Sequence, residues 1–148
     1  MSSGFTSDLL TGYARFLAAA SIGTWKPTCA YTAAETGIVL GTIPQTPDRV
    51  ITLTAYGVSD NPTLSDSIVG LQVRCRWGGQ DPRPVEDLAD SIFNLLHGSQ
   101  HLVLATGVHV VQCVRQSGPV SLGQDANQRW SNSSNFYVTV HRPSPNRL

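Results

Sequence analysis

Between positions 67 and 77 the chain alternates without a break. Val69, Leu71, Val73, Cys75 and Trp77 fall on one side, and Gln72, Arg74 and Arg76 on the other. A period of two belongs to a β-strand, whose successive side chains point to opposite faces of a sheet. One face of that sheet meets a core. The other meets water or a partner.

Helical periodicity brackets this strand. Leu9, Leu10, Tyr13, Phe16, Leu17 and Ala20 recur at helical spacing and predict a helix over residues 5–20. Thr6 or Ser7 can cap it, Asp8 suits its first turn, and Gly23 offers a stop. Gly12 lies inside it at a cost of about 1 kcal/mol against alanine, so a close packing partner is expected there. A second helix is expected over residues 85–97, with Pro84 in its first turn. Val85, Leu88, Ala89, Ile92, Leu95 and Leu96 form its apolar stripe, and Gly98 its C-terminal cap.

Further strands are expected over residues 37–41, 50–56, 107–115 and 136–141. Residues 43–49 read as a Pro-rich connector and 57–66 as a loop. The polar, Gly/Asn/Ser-rich stretch 116–134 reads as a long loop, which in a compact domain is functional or flexible. The order of elements predicts an α+β fold. A mixed, mainly antiparallel sheet of about five strands would carry two main helices on one face. One domain over residues 1–148 is expected, frayed at 1–4 and 142–148.

Composition narrows the function. Hydrophobic residues are 41% and charged residues 14% of the chain, which argues against disorder. Ten basic and ten acidic residues cancel, so a strong positive field for gripping nucleic acid is not expected. Lys26 is the one lysine among the ten basic residues. Arginine suits interfaces, but a GC-rich genome is the simpler explanation of the bias. Cys29, Cys75 and Cys113 are odd in number and far apart, against a disulfide framework or a zinc site. Cys75 and Cys113 read as small buried hydrophobes in a protein made in a reducing cytoplasm. The N-terminus lacks a signal-peptide pattern, and no apolar run reaches the ~18 residues of a membrane span.

No nucleophile elbow, P-loop, dinucleotide fingerprint or CxxC pair occurs. His97 and His101 are four apart, but Gly98 separates them and no HExxH glutamate intervenes. His109 and His141 lie on expected strands with nothing to show that they meet. Glu86, Asp87 and Asp90 read as a solvated helix face matched to the dipole. No enzyme, cofactor or metal is expected. In Asp81-Pro82-Arg83-Pro84, two prolines stiffen the backbone around one acid and one base. The segment is either a helix start capped by Asp81 or a rigid corner at a subunit contact.

Several phrases together resemble one family. They are Pro47-Asp48-Arg49, the GLQVR run at 70–74, Asp81-Pro82, Leu95-Leu96-His97-Gly98, Gly123-Gln124-Asp125 and His141-Arg142-Pro143. These are similar to phrases of the tail terminator (minor capsid, tail completion) proteins of siphophages, particularly those infecting actinobacteria. The likeness runs over residues 5–143, nearly the whole chain. It implies a structural virion protein of the tail, at the neck. Such proteins form a homohexameric ring on the head-proximal end of the tail tube and stop addition of the major tail tube protein. They offer a docking surface to head-tail connector and stopper proteins, and DNA passes through the ring. The resemblance implies no catalytic residues. A head-completion or stopper protein of the neck is the alternative.

Size permits a ring. A compact domain of this length is roughly 38 Å across, and six touching spheres leave a hole of roughly the same width. A closed ring needs two different patches on each subunit. The candidates are the polar strand face Gln72, Arg74 and Arg76, the corner Asp81 and Arg83, and the 116–134 stretch with Gln124, Asp125, Arg129 and Trp130. Trp77 and Trp130 are candidate anchors, since aromatics and arginine dominate interface energetics.

Overall fold

The computed structural model describes residues 4–28 and 30–147. Cys29 and the first three residues, read above as part of a cysteine set and a frayed end, lie outside them. Two helices and seven strands follow one another: α1 (Phe5–Ala19), β1 (Thr24–Trp25), β2 (Gly37–Leu40), β3 (Val50–Asp60), β4 (Asp66–Gly78), α2 (Arg83–Leu96), β5 (Gln100–Val103), β6 (His109–Gln124) and β7 (Arg129–His141). The strands form one sheet in the order β1-β2-β3-β4-β7-β6-β5. β1, β2 and β3 run parallel, and every other neighbouring pair is antiparallel. The fold is α+β as expected, with seven strands instead of five.

The sheet has one apolar face. Ile51 and Leu53 of β3, Val69, Leu71, Val73 and Cys75 of β4, and Phe136, Val138 and Val140 of β7 are all buried there. α1 packs on it through Leu9, Tyr13 and Leu17, and α2 through Val85, Leu88, Ala89, Ile92 and Leu96. Burial pushes the Cys75 thiol up to about 12 and the Cys113 thiol up to about 11. Thiols held protonated in this way act as small hydrophobes. Among the described residues no helix is long and apolar enough to cross a membrane.

The largest difference from the sequence reading is the 116–134 stretch. It is no loop but most of a long hairpin, β6 and β7, closed by a turn at 125–128. Gly118, Pro119 and Gly123 look like strand breakers in sequence. In the sheet they sit among register shifts of β6 against β7, where the strand absorbs extra residues. The helix ends also differ. Gly4 occupies the N-cap of α1 without a side-chain cap, so Thr6 and Ser7 lie inside the helix. Its end comes at Ala20, followed by Ser21 at a positive φ of 62°, not at Gly23. Gly98 does follow α2, at φ 83°. At the tail expected to fray, the Arg142 N–H donates to the Ser65 carbonyl. The Arg147 guanidinium donates to Leu64 O, Asp66 O and Ser67 Oγ.

Gly12 meets the partner its position calls for. A Cβ there would lie 2.8 Å from Leu104 Cβ and 2.7 Å from Thr106 Oγ1. Thr106 cannot easily yield, because its hydroxyl donates to the Asp8 carbonyl at 2.6 Å. Gly12→Ala gains about 1 kcal/mol of helix propensity but forces overpacking that costs about 1–3 kcal/mol. We expect net destabilisation, read as a lower urea midpoint with an unchanged slope.

Candidate assembly surface

The second face of the sheet is polar, and the pairing registers say which residues share it. Thr52, Thr54 and Tyr56 of β3 lie opposite Arg74, Gln72 and Gly70 of β4. Across the other side of β4, Arg74 faces Ser133, Gln72 faces Asn135 and Gly70 faces Tyr137. Among the described residues no helix packs here. Gly70 has a definite purpose. The Tyr56 ring lies across it, so that a Cβ on Gly70 would stand 2.1 Å from the ring. The Tyr56 hydroxyl thereby reaches Asn135 Oδ1, 3.3 Å away. Tyr56, Tyr137, Gln72, Arg74 and Asn135 together form a half-exposed patch of aromatic, amide and guanidinium groups. Sequence reading singled out Gln72 and Arg74 of this patch. The tyrosines and Asn135 were missed, although Tyr56 falls on the polar side of its strand.

Arg76 shares that face but is buried. Its Nε donates to Asp48 O at 3.0 Å and its Nη2 to Pro47 O at 2.7 Å. Burial holds its guanidinium below the ordinary arginine value, with Arg129 and Arg74 adding repulsion and Asp125 and Asp48 opposing it. Arg129 is buried beside it and reaches the same connector through Gln45 O at 2.5 Å. It also pairs with Asp125 Oδ2 at 2.9 Å and Asp48 Oδ1 at 3.5 Å. The two arginines therefore clamp the 45–48 segment over one end of the polar face. Their side chains are used inside the protomer and present no free guanidinium to a partner.

Asp125 closes the β6–β7 turn. Its Oδ1 accepts the N–H groups of Asn127 and Arg129, each at 2.9 Å. Gln124 precedes it, exposed at the end of β6. Asp81 and Arg83 are both exposed and occupy one another: Arg83 Nη2 lies 2.9 Å from Asp81 Oδ2. Asp81 Oδ1 also accepts the Arg83 N–H at 3.0 Å, which secures the first turn of α2. The two tryptophans face each other in register on the helix-covered side. Trp77 is half-buried beside Ile22, Pro84 and Leu88, with the Arg49 guanidinium 4.3 Å from its ring centroid. The Trp130 indole donates to Gln80 O at 3.0 Å.

The structure does bring His109 and His141 together. They are register partners with ring centroids 6.5 Å apart, and His141 Nδ1 lies 3.4 Å from Asp66 Oδ1. His97 has a structural use, since its Nδ1 accepts the Arg115 N–H at 2.9 Å. Among the described residues no group of three or more His, Cys, Asp or Glu is placed to hold a metal.

The Asp125 turn carries a pH signature. The Arg129 backbone N–H, then its guanidinium and the Asn127 N–H, hold the Asp125 carboxyl below its ordinary value of 3.8. Its folded pKa is thus below its unfolded one, so the unfolded state binds the proton more readily in that window. The stabilisation is present above about pH 4 and is lost as pH falls through the folded value. Asp125→Asn should therefore flatten the fall of urea midpoint between about pH 5 and pH 2.

A family model described as "Bacteriophage tail terminator protein" matches residues 16–142. No curated protein matches the chain.

Proposed function

The chain belongs to the bacteriophage tail terminator family, and on that premise we propose that it caps the head-proximal end of the tail tube as a hexameric ring. The family role is structural and not catalytic, and its station is the phage tail. In our reading the ring halts addition of tube protein and then receives the head connector, while DNA passes through the hole. The narrower likeness to actinobacteriophage proteins belongs to the same proposal. The observation that carries it is the family match across most of the chain.

Physical features support the reading. Equal numbers of acidic and basic residues suit a conduit for DNA, because every phosphate neutralised by a cation adds affinity and drag. Two of the nine arginines, Arg76 and Arg129, are turned inward on the connector. The uncovered Tyr56–Tyr137–Arg74 patch has the composition of an interface centre. We assign Gln72 and Arg74 to a contact with the tail assembly, and Gln124 and the Asp81–Arg83 corner to the rim of subunit contacts.

Loss of the gene should give phage tails of uncontrolled, excessive length. Tails of normal length on heads that leak DNA would instead mark a stopper protein and overturn the reading. Arg74→Glu should leave the unfolding midpoint nearly unchanged, since the side chain is only half-buried. It should weaken capping of purified tubes by about tenfold or more.

A further inference from the structure

Both outer margins of the long central strands are left partly unpaired. β2 covers β3 only over 50–53, with the Gly41 N–H adding a bond to Leu53 O. From 54 to 60 the outer edge of β3 has no strand neighbour among the described residues. On the far side, β5 covers β6 only over 109–112, and Ser99 and Gly98 complete the bonds at Cys113. The next outward N–H, that of Arg115, is taken by His97 Nδ1, and from 116 to 124 the outer edge of β6 has no strand neighbour among the described residues. Open edges are rows of unpaired N–H and C=O groups that invite another strand.

We propose that neighbouring copies of this chain join through these edges, segment 54–60 of β3 in one copy pairing with segment 116–124 of β6 in the next. The inference rests on the ring reading above and names the surfaces that build the ring. Strand direction supports it first. β3, β4, β7 and β6 are antiparallel in turn, so β3 and β6 run in opposite directions. A β3 brought to the β6 edge therefore extends the antiparallel alternation into the next subunit.

Shape supports it next. Thr54 lies level with Gln72, Asn135 and Ser117. From that level the open part of β3 extends toward one end of the sheet and most of the open part of β6 toward the other. The neighbour must be offset along the strands. With that offset, β2 of one copy and β5 of the other fall beyond the ends of the paired segments. One edge of each kind per chain gives a head-to-tail contact, which closes a ring when the rotation between neighbours closes and the tilt of the strands takes up the offset.

Exposed apolar residues mark both segments. Val58 is 38% exposed on β3, while Val120 is 58% and Leu122 49% exposed on β6. Scattered exposed apolar residues are ordinary. Here Val58 lies on one open edge and Val120 and Leu122 on the other, so apolar contact across the joint follows when the edges meet. The edges are also blunted. β6 changes register at the start of the open segment and twice within it, and Pro119 offers no N–H, while β3 has a bulge between Gly57 and Ser59. Such irregularity discourages indiscriminate strand addition, leaving a matching edge as the partner.

The test compares the full-length chain with Val58→Lys, Leu122→Lys and the double variant Val58→Lys/Leu122→Asp, each checked for native circular dichroism. Ring formation is read by light scattering, alone and on tubes assembled from the tail tube protein. We expect the wild type to form rings, each single lysine variant to lose them, and the double variant to regain them. Rings that form normally with either lysine in place overturn the edge pairing and leave the ring standing. So does a loss that the double variant fails to reverse. A wild type that forms no ring in either setting overturns the ring reading and this inference with it.

Discussion

Thirteen consecutive residues of β4 pair with β7 without a register shift, from Asp66 opposite His141 to Gly78 opposite Arg129. Side chains in a sheet alternate with a period of two, so a slip of one residue would turn every apolar group on both strands toward water. The unbroken ladder keeps Val69, Leu71, Val73, Phe136, Val138 and Val140 on one face. Both helices need that face to bury their stripes. The same ladder sets Arg76 and Arg129 close together on the opposite face, where they hold the 45–48 segment. Core, helix docking and connector clamp all follow from this single register.

Much of this was legible in the sequence because it depends on local period. The alternation over 67–77 gave the central strand and its two faces, and the helical spacings gave both helices within a few residues. The expectation at Gly12 held because a glycine inside a helix has a known cost, and the structure shows Leu104 and Thr106 pressed against it. The β6–β7 hairpin was not legible. Its Gly118, Pro119 and Gly123 mimic loop chemistry, and only the partner strand shows that bulges accommodate them. The candidate surface was half-legible for a similar reason. Alternation placed Arg74 and Arg76 on one polar face. It could not show that a connector almost thirty residues earlier covers Arg76 and leaves Arg74 in the open.

The molecule separates its surfaces by task. One sheet face carries the helices. The other divides into an arginine-clamped end and a tyrosine-rich patch around Gly70. Among the described residues, the strand margins lack a strand neighbour beyond the ends of β2 and β5. Faces and margins point in different directions, so a ring built through the margins leaves the tyrosine patch free for the tail or the neck. Low charge density aids both kinds of contact, since neutral surface costs less to desolvate than charged surface. Tail termination needs no bond made or broken by this chain.

The most direct measurement is the mass of the particle this chain forms on the head-proximal end of a purified tail tube. The account predicts a cap of six chains at one end of each tube, after which added tube protein no longer lengthens it. A chain that stays monomeric in the presence of tubes, with tubes that continue to grow, would contradict it.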